Sequence, residues 1–206
     1  MHQKDDRKGN MHDSRYEKLA DVLVQHSTRV QKGENVLIEA IDIPDEMVIS
    51  LIREVRSLGG NPVITLKRNR IQRELIHSGS DDNIKLVGDY EAYRMKKMDA
   101  YIGVRGSLNV AEMSEVPTDA MNRYENNWLK PVHFDIRVPE TKWVVLRWPT
   151  PSMAQQAGSS TEAFEAFYFD VCTLDYDKMA RAMQPLMDRM DAADRVRIVS
   201  PGTDLT

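Results

Sequence analysis

Side chains that commonly bind metal ions are scattered along the sequence. The five histidines are His2, His12, His26, His77 and His133, and none forms a His-Glu-x-x-His pair. His133 and Asp135 would share one face of an extended chain. Two ligands alone seldom make a tight site for a hard cation. We therefore interpret His133 and Asp135 as structural residues and assign no metal ligand in this chain.

Acidic, hydroxyl and thiol side chains gather in the segment from Ser159 to Cys172. Ser159 and Glu162 fit a capping box, and acids such as Glu162 and Glu165 are favoured at the start of a helix, so this pair has a structural explanation. A serine hydrolase stays open, but Ser159 and Ser160 have no histidine nearby in the sequence. Cys172 is the only cysteine, so we expect a buried thiol and no internal disulfide. No catalytic residue is assigned.

One loop has a pattern that suits anion binding. "YIGVRGSLNVAEM" predicts a strand, a glycine-containing loop and the start of a helix. Backbone N–H groups at such a junction can bind an anion, and Arg105 could assist them. Gly103 and Gly106 do not complete a dinucleotide fingerprint or a P-loop. An alternative function is therefore a standalone α/β module that binds an anionic small molecule at the Gly103–Asn109 loop.

The elements that would position these residues alternate between strand and helix. Apolar runs bounded by glycine and proline predict strands at 35–40, 61–67, 99–106 and 142–149, with helical patterns between them. Strands separated by crossover helices predict an α/β fold, with a mainly parallel sheet of four to five strands and helices on both faces. A helical segment follows Pro151 and ends in a short strand at 195–199. Met179, Met183 and Leu186 mark the expected buried side of its last helix.

Composition narrows the classes of partner. The chain has 28 basic and 32 acidic residues, for a net charge of −4, and no basic block, so we expect no nucleic-acid partner. Its apolar runs are too short to span a bilayer, and we expect no membrane partner. The polar first residues lack a secretory pattern, and with the single cysteine this indicates a cytoplasmic location. Residues 1–14 are expected to form a flexible tail.

A longer series of residues resembles a known family. "RYEKLADVLVQHSTRVQKGENVLIEA", "WPTPSMAQQAGSSTEAFEAFYF", "DYDKM", "ADRVRI" and "PGTDLT" occur in this order. The series is similar to the thermophilic-type metalloaminopeptidases, the family of aminopeptidases T and S. Ser159-Ser160 departs from the Met-Ser usual in the family, at a position outside its catalytic residues.

The resemblance implies a two-domain hydrolase that removes amino-terminal residues from peptides. Such an enzyme would use two divalent metal ions of the zinc or cobalt class, and the full-length enzyme would form a homodimer. The family's metal ligands lie beyond the position that matches Thr206, so no cofactor is expected in this chain. The resemblance therefore implies an amino-terminal α/β domain at 15–193, the start of a missing catalytic domain at 194–206, and a truncated chain that is inactive alone.

Overall fold

A computed structural model describes residues 13–206. The chain divides into two compact units, one ending at Thr173 and the other running from Leu174 to Thr206. Of the predicted tail, residues 1–12 lie outside the described residues, as do His2 and His12. Asp13 and Ser14, which were assigned to the tail, instead begin the first helix, because the Asp13 carboxylate accepts a hydrogen bond from the Arg15 N–H at 2.9 Å.

In its described part, residues 13–173, the first unit contains four strands and eight α-helices. The strands are β1 (Asn35–Ile41), β2 (Asn61–Lys67), β3 (Ala100–Arg105) and β4 (Lys142–Arg147). The helices are α1 (Ser14–Asp21), α2 (Asp45–Ser57), α3 (Asn69–Ser78), α4 (Asp81–Met95), α5 (Thr118–Tyr124), α6 (Val138–Glu140), α7 (Pro151–Gln156) and α8 (Thr161–Cys172). Two π-helical segments continue α1 and α5, namely π1 (Val22–Ser27) and π2 (Glu125–Arg137).

The four strands form one parallel sheet in the order β2-β1-β3-β4. This confirms the predicted α/β class and a four-stranded sheet. From β1 the chain first adds β2 on one side of β1. It then crosses to the other side of β1 to form β3, so the direction of winding reverses between β1 and β3. Ligand sites of open parallel sheets are generally found at the carboxyl ends of strands flanking such a reversal.

One face of the sheet is covered by α1, π1, α2 and α8. Alternate residues of β1 and β3 point to this face, so Val36, Ile38 and Ala40 pack in a core with Met47 and Leu51 of α2. An aromatic cluster closes the core towards α8. It contains Tyr16, Trp148, Tyr168 and Phe169, with ring centroids 5.3–6.3 Å apart. The segment "WPTPSMAQQAGSSTEAFEAFYF", one of those that resemble the family, therefore contributes to packing of the core.

The opposite face of the sheet is covered by α4 and π2. Leu37 and Tyr101 point to this side and pack with Ile84, Met95 and Trp128. The close approach of the two helical segments depends on Gly88, because a Cβ atom there would lie 2.1 Å from the Asn127 carbonyl oxygen. Without a side chain at this point, α4 can press directly against the backbone of π2.

Several local predictions need correction. The expected helix start after the Gly103–Asn109 loop is absent, since residues 110–115 form turns and α5 begins only at Thr118. The cap of α8 is Ser160, whose hydroxyl accepts from the Ala163 N–H at 3.2 Å, and Ser159 lies outside the helix. The register of the cap is set by which residue has extended backbone, and Ser160 does, with φ −67° and ψ 153°.

The second unit consists of α9 (Tyr176–Asp191) and a hairpin of β5 (Ile198–Ser200) and β6 (Thr203–Leu205). The helix runs through Pro185, and its expected buried residues Met179, Met183 and Leu186 are 39–61% exposed. Assignment of residues 194–206 to a following domain stays a prediction. Within residues 13–206, no helix is long and apolar enough to cross a membrane.

Candidate functional site

Polar side chains form a row across the sheet at the carboxyl ends of its strands. Lys67 of β2, Ile41 of β1, Arg105 of β3 and Arg147 of β4 are successive register partners. Register partners in a parallel sheet project to the same face, and these four line one cavity of about 270 Å³ on the side of π2. The sheet therefore presents three cationic side chains to a cavity beside its point of reversal.

Lys67 belongs to a buried charge network. Its Nζ atom lies 2.8 Å from Oε2 of Glu39 and 3.0 Å from Oε1 of Glu91. Tyr101 donates its hydroxyl proton to Glu39 at 2.9 Å, and Trp128 donates its indole N–H to Glu91 at 2.8 Å. The Arg94 guanidinium also lies 3.9 Å from Oε1 of Glu91. The two buried carboxylates thus share one ammonium group and two neutral donors, and Glu91 has a second, more distant cation, which offsets their desolvation.

Gly103 makes room for this network. A Cβ atom at Gly103 would lie 2.8 Å from the Tyr101 ring and 2.9 Å from its hydroxyl oxygen. Burial opposes ionisation of Glu39, but Lys67 and the Tyr101 hydroxyl outweigh burial and lower the pKa of Glu39 below its usual value. Burial and the neighbouring Glu39 carboxylate raise the pKa of Tyr101, so its hydroxyl remains a donor at neutral pH.

His133 lies beside this network and is buried. Burial lowers its pKa to about 4, with Glu39 opposing that shift and Arg137 adding to it. The neutral ring accepts a hydrogen bond at Nδ1 from Nε of Arg137 at 3.1 Å. The guanidinium of Arg137 also stacks over Trp143, 4.5 Å from the ring centroid.

His133 and Asp135 do not share one face of an extended chain, because both residues lie in the helical segment π2. Residues two apart on a helix do not face each other. His133 points into the interior, whereas Asp135 is exposed and pairs with Lys130 at 3.0 Å. Among residues 13–206, no three His, Cys, Asp or Glu side chains are grouped so that they could hold a metal ion. These residues do not fit a two-metal centre, and we derive no metal-dependent step from them.

Within the described residues, Arg105 and Arg147 differ from Lys67 in forming no ion pair with a carboxylate. No carboxylate within residues 13–206 forms an ion pair with either guanidinium, and Nε of Arg105 is buried without a hydrogen-bond partner there. Arg105 is half-buried, and this burial alone would lower its pKa, but Tyr101 and the Glu39 carboxylate outweigh burial and raise the pKa of Arg105. Arg147 is exposed at the cavity rim.

The loop after β3 is held in place by the strands around it. Gly106 donates its N–H to the Ile41 carbonyl at 2.7 Å, and a Cβ atom at Gly106 would lie 2.3 Å from the Asp42 carbonyl oxygen. Thr150 donates its hydroxyl to the Ser107 carbonyl at 2.8 Å. The loop is not a helix N-terminus, so the cationic side chains of the row, rather than the N–H groups of a helix start, are the groups here that could contact an anion.

The remaining sequence candidates have structural surroundings. Glu162 lies exposed in the first turn of α8, and Glu165 pairs with Arg15. Cys172 is half-buried against the core that lies between the sheet and α2, and burial raises the pKa of its thiol. His77 lies exposed in the last turn of α3, and His26 is half-buried in π1.

The comparison with protein families decides the assignment. The family described as thermophilic metalloprotease (M29) matches residues 12–206. The chain belongs to this family. The M29 chain also shares its fold with wild-type AmpT from Thermus thermophilus, with a TM-score of 0.61 and 16% sequence identity.

The structural likeness to AmpT covers different shares of the two chains. It covers 78% of the M29 chain but 43% of AmpT, so the chain spans less than half the length of this solved relative. CurK enoyl reductase matches over 75% of the M29 chain and 48% of its own, at 12% identity and a TM-score of 0.30, too low to carry an argument. No curated protein sequence matches significantly.

Sequence reasoning identified Arg105 but missed its neighbours. Glu39, Lys67 and Glu91 are far apart in the sequence, and only the crossover of the parallel sheet brings them together. One signal was present, since Glu39 interrupts an otherwise apolar strand. A charged residue inside a buried strand requires a partner, although the sequence does not say which.

Proposed function

We propose that this M29 chain is the non-catalytic amino-terminal α/β domain of a metal-dependent aminopeptidase that releases amino-terminal residues from peptides. The full-length enzyme would use two divalent metal ions of the zinc or cobalt class, act as a homodimer and reside in the cytoplasm. The observation that carries the proposal is the family match over residues 12–206 of a chain whose fold corresponds to 43% of AmpT.

The contacts of the metal-ligating residue types support the same proposal. A two-metal hydrolytic site needs several oxygen and nitrogen ligands that converge on a reacting water. His133 uses Nδ1 to accept from Arg137, and Asp135 is paired with Lys130. Glu39 and Glu91 are bound to Lys67 inside the fold. Each of these side chains has a structural role in the domain.

The proposed contribution of the domain is therefore a scaffold. The charge network fixes α4 and π2 against the sheet, and the cavity at the strand ends is positioned by it. In the whole enzyme, such a domain would help to enclose the site where peptides are cleaved. Binding energy from such remote contacts can assist catalysis without any catalytic group.

Hydrolysis of leucine p-nitroanilide by the purified 206-residue chain tests this proposal, with and without added Co²⁺ or Zn²⁺. We expect no metal-dependent turnover while circular dichroism shows a folded α/β protein. Turnover that is abolished by a chelator and by His133→Asn, but not by the exposed control His77→Asn, would contradict the proposal.

A further inference from the structure

The last register row of the sheet carries more positive charge than the acidic groups around it can neutralise. Lys67 is matched by Glu39 and Glu91, as described above. Another carboxylate at the cavity, Glu112, is bound to Arg73 at 2.7 Å. Arg105 and Arg147 are left as neighbouring cations that form no ion pair with a carboxylate in the described part of the chain, although Glu39 is near enough to raise the pKa of Arg105.

We propose that Arg105 and Arg147 together bind the carboxylate or phosphate group of a small molecule in this cavity. Their Cα atoms are paired across β3 and β4, so both guanidinium groups can reach one anion. A second cavity of about 330 Å³ is also lined by Arg105, Ser107 and Arg147, so the two arginines stand between the two spaces. This inference is independent of the aminopeptidase proposal.

The chemistry of the pair identifies the class of ligand. A guanidinium is a planar fork of donors that matches the two oxygens of a carboxylate or phosphate group. The buried Nε of Arg105, without a partner among residues 13–206, is one donor that such an oxygen would satisfy. A cavity of about 270 Å³ suits a small molecule rather than a folded partner.

The site is held in shape before any ligand binds. Both arginines lie at the ends of paired strands, and the intervening loop is fixed by the hydrogen bonds from Gly106 to Ile41 and from Thr150 to Ser107. The side chains of Val110, Met113 and Met121 give the same cavity an apolar wall. A rigid site loses less entropy on binding than a mobile loop would.

Glu39 does not prevent anion binding despite lining the same cavity. Its carboxylate is bound to the Lys67 ammonium and to the Tyr101 hydroxyl, so its charge is largely compensated. The positive charges of Lys67, Arg105, Arg137 and Arg147 outnumber the negative charges of Glu39 and Glu91. Because His133 is neutral, the net charge of these groups is positive. An anion is therefore the favoured ligand.

The test is nuclear magnetic resonance of the arginine Nε–H groups in the 206-residue chain, titrated with inorganic phosphate or the dipeptide Leu-Gly. Leu-Gly amide, which lacks the carboxylate, is the matched ligand control. We expect the Arg105 and Arg147 signals to shift with phosphate, with Leu-Gly or with both, and not with the amide. The pattern distinguishes a phosphate ligand from a carboxylate ligand.

Variants make the result specific to this pair. Arg147→Gln should weaken binding by about tenfold or more, because one charge-assisted fork is lost. Arg147 is exposed, so this change should not unfold the domain; Arg105→Gln provides the second variant. The control is Arg56→Gln, which removes an exposed arginine from α2 on the opposite face. No shift up to about 10 mM of either probe, or equal affinity in Arg147→Gln and Arg56→Gln, would overturn the proposal.

Discussion

The burial of His133 predicts a specific dependence of stability on pH. Burial lowers the pKa of His133 to about 4 from the ordinary value of 6.5. Below about pH 6.5 the unfolded chain binds a proton at this residue, whereas the folded chain does not until the pH nears 4. Stability is therefore lost as the pH falls through this window, and the loss is complete below about pH 4.

The size of the effect follows from the shift. The difference between the two pKa values corresponds to about 3 kcal/mol at low pH, since one pKa unit is worth about 1.4 kcal/mol. Between pH 7 and pH 4.5, where the folded protein is still mostly neutral at His133, the expected loss of unfolding free energy is about 2 kcal/mol. Glu39 contributes in a lower range, because its pKa lies below its usual value and its stabilising effect is lost only as the pH falls through that lowered value.

Urea unfolding of wild-type protein and His133→Asn at about pH 7, 5.5 and 4.5 would measure this effect. Asparagine cannot titrate, but its amide oxygen can accept from Arg137 as Nδ1 of the histidine does. We expect the variant to lose less stability than wild type between these pH values. His77→Asn, at an exposed position, should retain the wild-type dependence. Equal pH dependence in wild type and His133→Asn would refute the reasoning.

Other substitutions test the packing and the charge network by chemical denaturation. Lys67→Met should destabilise the fold by about 3–5 kcal/mol, because it removes the cation of the buried Glu39 and leaves Glu91 with the more distant Arg94. A loss below about 1 kcal/mol would show that water already solvates these carboxylates. Gly88→Ala should lower the free energy of unfolding by about 3 kcal/mol, since the new Cβ would overlap the Asn127 carbonyl oxygen. An unchanged denaturation midpoint would contradict the contact between α4 and π2. Ser160→Ala should lower the free energy of unfolding by about 1 kcal/mol through loss of the α8 cap, whereas Ser159→Ala should lower it little. A larger loss in Ser159→Ala than in Ser160→Ala would instead support a capping box at Ser159.

Much of the fold could be predicted because its signals are local. The run from Asn61 to Lys67 is bounded by glycines before it and a polar helix start after it, and β2 has those limits. Ser80 and Asp175 are of residue types that favour helix N-caps, and each accepts a backbone hydrogen bond of that kind. The alternation of strands with crossover helices was sufficient for the parallel α/β class.

The features that escaped prediction depend on tertiary context. A proline inside a helical pattern favours a kink or an interruption, but α9 continues through Pro185. The segment that contains His133 was judged as extended chain, and its helical form separates His133 from Asp135. The buried network joins Glu39, Lys67 and Glu91 from separate elements, so no local pattern could have identified its members together.

The central claim is that the described chain contributes structure rather than a metal centre. Equilibrium dialysis of the purified 206-residue chain against Zn²⁺ or Co²⁺, followed by determination of retained metal by mass spectrometry, tests it most directly. We predict no tight stoichiometric binding, with any weak binding unchanged in His133→Asn and Asp135→Asn. Tight, stoichiometric retention that either substitution abolishes would contradict the account.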